Sequence, residues 1–137
     1  MRFVLPILTL CLCISPAKAF NSACNQNQPA RDLAACIWDE YKKLDAELNN
    51  LYKTVVNEFP KADLSEGDKK KALAEFIEAE KGWIKYRDAD CRAVYTLNGG
   101  GDGSRFAELD CVIDHTEDRM KNLRTYRSYI GAENYPR

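Results

Sequence analysis

The sequence predicts an all-α protein, a compact antiparallel bundle of three main helices stapled by two disulfides. Apolar residues recur at steps of three and four along three long segments, as they do on the buried face of an amphipathic helix. Breaks containing proline or glycine separate these segments. An even number of cysteines remains once the N-terminal leader is set aside, which favours two disulfides in an exported chain.

The first 19 residues have the features of a secretory signal peptide. Arg2 supplies the positive start, residues 3–14 form a short apolar run, and Ala17 and Ala19 supply the small residues of a cleavage site. The apolar run is too short for a membrane span, which needs about 20 residues. We therefore expect a domain at residues 20–137, without a membrane anchor, that is periplasmic or secreted.

The charge balance of the predicted mature chain does not favour nucleic acid as a partner. Removal of Arg2 and Lys18 leaves 18 basic and 21 acidic residues, a formal charge of −3. Proteins that bind nucleic acid neutralise phosphates with a basic surface, which this composition does not provide. The remaining chain is long enough for one domain with a modest core.

The first predicted helix begins near Pro29, which suits a first helical turn, and ends before Pro60. The second begins at Ser65, where Asp68 three residues later resembles a capping box, and continues to about Tyr95. The apolar stripe of the first helix comprises Leu33, Ile37, Tyr41, Leu44, Leu48, Leu51, Tyr52 and Val55.

One face of the second helix carries two charged residues among apolar ones. Glu80 and Arg87 are costly on such a face unless they are paired, so we expect a hydrogen-bonded polar cluster around Trp83. Such clusters are more often structural than reactive. The face comprises Phe76, Glu80, Trp83, Ile84, Arg87, Cys91 and Val94.

A glycine-rich break at residues 98–104 separates the second helix from the third, which Ser104 is expected to cap and Gly131 to end. No strand precedes these glycines, no GK[ST] follows them, and Asp102 is their only acid, so a phosphate cradle and a calcium loop are both poorly supported. The inner face of the third helix comprises Phe106, Leu109, Val112, Ile113, Thr116, Met120, Leu123, Tyr126 and Ile130.

Four cysteines follow the predicted signal peptide: Cys24, Cys36, Cys91 and Cys111. Two disulfides among them allow three connectivities, of which neighbour pairing is the simplest. Each neighbour pair closes a loop that the chain-entropy model values at about 3 kcal/mol. Zinc is the competing use, but the spacings of 12, 55 and 20 contain no CxxC pair, so we expect no metal and no cofactor.

The segments LDAELNNLY, WIKYRDADC and LDCVIDHTEDRMKNL together resemble the LprI-like lysozyme inhibitor family. This resemblance implies a small exported bacterial domain, helical and compact, with neighbour-paired cysteines. Two departures are Glu80, where many relatives carry glutamine, and the missing lipid-anchor motif. The matching motif residues, to which we assign a structural role, are Trp83, Arg87, Asp88 and Cys91, and then Cys111, Thr116, Arg119 and Leu123.

The family resemblance implies stoichiometric inhibition of a lysozyme-type muramidase, and the charge pattern agrees with a basic partner. Residues 88–118 carry a net charge of −6, and such a patch would attract basic lysozymes. We expect Asp102 and Ser104 of the glycine-rich break, with Asp88 and Asp90, to contact the partner. The competing interpretation is that these acids only maintain solubility.

Two other classes of function compete with inhibition. His115, Ser104 and either Asp110 or Asp114 would make a catalytic triad on paper, but no GxSxG or other nucleophile motif is present, so we expect no enzyme. Asp110 and Asp114, one helical turn apart, are more readily explained as solvated carboxylates than as a cation site. The alternative to a lysozyme inhibitor is an envelope interaction module or immunity-like protein with no effect on lysozyme.

Overall fold

The computed structural model describes residues 24–25 and 27–131, and the predicted signal peptide and the last six residues lie outside them. Helix α1 spans Ala30–Glu58, α2 spans Glu66–Leu97 and α3 spans Asp102–Ile130. A 3-10 turn at Phe59–Lys61 follows α1 directly. The described residues contain no strand. The all-α prediction is therefore confirmed.

Helix α3 is the central element, because α1 and α2 each pack on α3 more than on each other. Consecutive helices run antiparallel, so α1 and α3 point in the same direction. Glu58 and Arg127 show this parallel arrangement: the guanidinium near the end of α3 donates to both carboxylate oxygens at the end of α1. The main core lies at this end of the bundle and comprises Leu48, Val55, Phe59, Phe76, Met120 and Leu123.

A second apolar cluster lies at the opposite end of the bundle and uses α1, α3 and Cys24 of the segment before α1, without α2. Its buried members are Cys24, Ile37 and Ile113. The half-buried residues packed on them also come from α1 and α3. The C-terminal half of α2 therefore adds no apolar side chain to this cluster, and a groove stays open along α1, lined by α3 throughout and by α2 in part.

Both disulfides follow the neighbour pairing. Cys24 and Cys36 are bonded, which fixes the segment before α1 to the first turns of that helix. Cys91 and Cys111 are bonded, which joins α2 to α3. The prediction of two stapling disulfides is confirmed.

The start of α2 agrees with the sequence, whereas the start of α3 does not. The Ser65 hydroxyl accepts a hydrogen bond from the Asp68 amide at 3.2 Å and caps α2 as predicted. Helix α3 begins at Asp102, so the prediction that Ser104 caps it is wrong. Ser104 is instead a buried residue of the first turn, where its hydroxyl donates to the Asn98 carbonyl at 2.8 Å.

The connection between α2 and α3 is a tight turn of residues 98–101, shorter than the predicted loop. Gly99, Gly100 and Gly101 have φ angles of 92°, 62° and 147°, which side chains disfavour. Three such residues in succession reverse the chain directly. Gly131 ends α3 in the left-handed conformation, as predicted.

No helix in the described part of the chain is long and apolar enough to cross a bilayer.

Candidate functional site

The motif residues of α2 and α3 meet in a polar cluster around Trp83. Arg119 of α3 donates from Nε to Glu80 Oε2 at 2.9 Å, and Nη2 donates to the same oxygen. Both side chains are about nine-tenths buried, and the Arg119 guanidinium lies 5.8 Å from the centre of the Trp83 ring. The expected cluster is present, but the sequence did not identify Arg119 as the partner of Glu80.

Arg87 covers the same tryptophan ring and reaches the edge of the cluster. Its guanidinium lies 5.0 Å from the ring centre of Trp83, a distance suited to a cation–π contact. Its Nε and Nη2 donate to Asp88 Oδ1 at 2.9 and 2.7 Å. The side chain of Arg87 is 12% exposed and that of Asp88 is 59% exposed. Arg87 therefore links the buried cluster to an exposed carboxylate.

Thr116 of α3 is fully buried. Its hydroxyl donates to the Val112 carbonyl one turn earlier at 2.7 Å, so the burial leaves no donor unsatisfied. With the Cys91–Cys111 disulfide, the motif residues thus hold α2 on α3. The buried Thr116, Arg119 and Cys91 therefore form a framework, whereas Arg87 and Asp88 reach the surface that it supports.

The surface next to this framework is the groove along α1. It consists of two adjoining hollows of about 380 and 430 Å³, which share Ala34, Arg105 and Leu109. The smaller hollow is lined by α1 and α3 alone, and the larger by all three helices. Trp38 and Tyr41 form its α1 wall. The other side chains of the larger hollow are Arg87 and Asp88 of α2 and Glu108 and Val112 of α3.

Trp38 is the large exposed apolar side chain of the groove, and it is not part of the apolar stripe that the sequence predicts for the first helix. It is 50% exposed, and its ring centre lies 5.3 Å from that of Tyr41. Trp38 lies beside the buried stripe of α1, next to Ile37. The signal that identifies it is the spacing of Ala34, Trp38 and Tyr41, which makes a second apolar stripe at steps of four and three.

Tyr41 lines the groove and is half-buried. Burial raises the pKa of its hydroxyl above the ordinary value of 10.0, and the nearby Arg87 guanidinium opposes this rise. The Tyr41 hydroxyl is therefore neutral at physiological pH and available as a hydrogen-bond donor within the groove.

The structure separates the four residues predicted to contact a partner. Asp88 lines one hollow of the groove and Asp102 lines the other, and both are exposed. Asp90 lines neither hollow, and its Oδ2 lies within hydrogen-bonding distance of His115 Nε2, at 2.9 Å. Ser104 is buried and already bonded to Asn98, so its hydroxyl does not face the groove.

The groove is of mixed charge rather than purely acidic. Arg31 and Arg105 line it beside Asp102, as Arg87 does beside Asp88. The remaining acids of the predicted patch include Asp110 and Asp114 on the exposed side of α3. Partial burial, and then repulsion by Asp114, raise the pKa of Asp110 above its ordinary range.

Ser104 and His115 do not form a catalytic triad with Asp110 or Asp114 in the structure. Ser104 and His115 are 11 residues apart on one helix, which corresponds to about 16 Å along its axis. His115 is bonded to Asp90, and Ser104 is bonded to a backbone carbonyl. The geometry therefore offers no nucleophile activated by a base at these positions.

Comparison with known proteins identifies one family. The model of the family described as "Lysozyme inhibitor LprI" matches residues 22–123, most of the chain. An uncharacterized protein of Rhizobium meliloti, R02472, is 32% identical over 90% of this chain and 94% of its own length. The uncharacterized protein YecT of Escherichia coli is 25% identical over 70% of this chain and 63% of its own length. No solved structure matches.

Proposed function

The chain belongs to the LprI lysozyme inhibitor family, and we propose that it binds a lysozyme-type muramidase and inhibits it by one-to-one association. The observation that supports this most directly is the open groove along α1, which presents the half-exposed Trp38 in the same hollow as Asp88, with Asp102 in the adjoining hollow. We expect the inhibitory contact with the lysozyme in this groove and not in the glycine turn alone.

The composition of the groove suits a protein partner. Interface residues that carry most of the binding free energy are commonly tryptophan, tyrosine and arginine, surrounded by a polar rim. Trp38, Tyr41 and Arg87 occupy such positions here, with Leu109 beneath them and Asp88 at the edge. A protruding loop of the partner would bury the aromatic rings while its polar groups meet the rim.

The exposed carboxylates of the groove favour a partner with basic residues. Arg87 donates two hydrogen bonds to Asp88 and so fixes its position, leaving its other lone pairs for a partner. Asp102 begins α3 at the far side of the groove. A basic lysozyme, with lysine or arginine near its substrate cleft, would complement both, although Arg31 and Arg105 limit the net attraction.

We propose that the protein acts by binding and not by catalysis. The family is one of inhibitors, and Ser104 and His115 are too far apart to act together. Two disulfides suit an oxidising compartment outside the cytoplasm. We accordingly propose an exported protein, periplasmic or secreted, with a signal peptide at residues 1–19 and the inhibitor domain at 20–137.

The test is a titration of the oxidised mature protein against lysozymes of several classes in a cell-wall lysis assay, at low and moderate salt. Inhibition should saturate at one inhibitor per enzyme and weaken with salt, because charged contacts are screened. Trp38→Ala should raise the inhibition constant by at least about tenfold, as expected for a central aromatic anchor. Leu64→Ala, an equally exposed apolar residue at the other end of the bundle, is the matched control.

The outcomes separate the classes of function. No inhibition of any lysozyme class would overturn the proposal and favour an interaction module without effect on lysozyme. Inhibition that Trp38→Ala leaves unchanged would keep the inhibitor and remove the groove as its contact surface. Loss of lysozyme activity at far less than one equivalent would indicate a catalyst.

A further inference from the structure

The Cys91–Cys111 disulfide lies beside the single histidine of the sequence. The two sulfur atoms and a ring nitrogen of His115 all lie within 4.8 Å of one another. Cys111 and His115 are one turn apart on α3, a spacing that places two ligands on the same helix face. Cys91 faces them from α2. The sequence spacings gave no sign of this group, because its ligands come from two helices.

We propose that reduction of this disulfide exposes a binding site for a zinc-type ion, with Cys91, Cys111 and His115 as its protein ligands. Two thiolates and one imidazole are a donor set that zinc prefers, and water can supply the fourth ligand. The metal would join α2 to α3 at the same place as the disulfide. The disulfide would thus cross-link α2 and α3 when the cysteines are oxidised, and the metal ion would do so when they are reduced.

Asp90 prepares the histidine for this role. Its Oδ2 lies 2.9 Å from His115 Nε2, where the carboxylate can accept a hydrogen bond from Nε2–H. In that tautomer Nδ1 is the nitrogen left to bind a metal. Zinc-binding histidines commonly donate their other ring nitrogen to a carboxylate in this way. Tyr86 packs edge-on against the imidazole, with ring centres 5.3 Å apart, and restricts its rotation.

The chemical balance needs one reductant of the dithiol class. The dithiol transfers two electrons and two protons to the Cys91–Cys111 bond, which becomes two thiols while the dithiol becomes a disulfide. Binding of one Zn²⁺ then displaces the two thiol protons. Cys91 is 1% exposed, so the bound ion would be shielded from solvent on its α2 side.

A second group of similar form serves as an internal control. Cys24, Cys36 and Glu40 also bring three potential ligand atoms within 4.8 Å. Here a carboxylate stands in place of the imidazole, and Glu40 makes a further interaction of its own. Thiolates with an imidazole form the more favourable zinc site. The two groups can be distinguished by one substitution in each.

The test is a Co²⁺ titration of the mature protein, fully oxidised and fully reduced, with removal of the reductant under anaerobic conditions. The reduced protein should show a thiolate-to-cobalt charge-transfer band that Zn²⁺ abolishes, and the oxidised protein should show none. His115→Ala and Asp90→Asn should each weaken binding by about tenfold or more, in line with the loss of a ligand or its supporting carboxylate. Glu40→Gln should leave the affinity unchanged.

A thermal measurement keeps the test valid if the reduced protein is less stable. Zn²⁺ should raise the unfolding midpoint of the reduced protein, because it binds the folded form, and should raise it less in His115→Ala. An unchanged midpoint would overturn the proposal. So would cobalt binding that survives His115→Ala in full or disappears in Glu40→Gln.

Discussion

Arg119 and Glu80 form a buried ion pair between α3 and α2, in which two guanidinium nitrogens donate to one carboxylate oxygen. The pair lies against Trp83, whose ring also contacts Arg87. Breaking one partner of such a pair is costly, because the other charge stays buried without compensation. The pair therefore specifies how α2 is seated on α3, and through Arg87 it also positions one wall of the groove.

Arg119→Ala should lower the free energy of unfolding by about 3–5 kcal/mol, because it leaves the Glu80 carboxylate buried and unpaired. Urea denaturation followed by circular dichroism measures this difference. Lys121→Ala, which removes an exposed pair with Asp118 on the same helix, is the control and should have little effect. Equal effects of the two substitutions would show that the Arg119 pair is not buried in solution.

Gly82→Ala should stabilise the protein by up to about 1 kcal/mol, because the residue is in the middle of α2 and an added Cβ meets nothing within 4 Å. The comparison is Gly100→Ala, where φ is 62° and the new Cβ would lie 3.5 Å from Tyr95 Cε1. That substitution should destabilise by about 1 kcal/mol. Paired denaturation curves measure both, and stabilisation by both would contradict the positive φ at Gly100.

Asp110→Asn should stabilise the protein at neutral pH and not in acid. Burial and the Asp114 charge raise the pKa of Asp110 in the folded state above its ordinary value of 3.8, so ionisation costs stability as pH rises through the folded pKa. Well below pH 3.8 the carboxyl is neutral in both states, and the advantage of asparagine should disappear. Thermal midpoints of the two proteins across this range measure the effect, and a pH-independent difference would contradict it.

Asp88→Asn and Asp102→Asn should each weaken lysozyme inhibition a few-fold and reduce its salt dependence, because both carboxylates face the groove. Asp63→Asn is the charge-matched control, since Asp63 is exposed and follows the turn at the opposite end of the bundle. Association rates at two salt concentrations measure the effect. Identical behaviour of all three variants would remove the groove carboxylates from the contact.

The helices, their order and most of their ends can be predicted from the amino-acid sequence. Local rules suffice for these features: the stripes of apolar residues, the Ser65 cap and the left-handed Gly131 are each decided within a few residues of chain. The neighbour pairing of cysteines was the simplest of three connectivities, and the structure is what decides for it. Ser104 does not cap α3, because Gly99, Gly100 and Gly101 reverse the chain before it and α3 begins at Asp102.

The side-chain contacts between helices cannot be predicted in this way, because they depend on how the helices pack. The partner of Glu80 is Arg119, 39 residues away, and nothing in the periodicity of either helix distinguishes it from Arg87. The groove exists because α2 adds no apolar side chain to the second cluster, which leaves Trp38 uncovered. His115 lies beside the sulfurs of Cys91 and Cys111 because α2 packs on α3 at this point. Contacts between helices depend on their rotation and separation, which no single helix pattern contains.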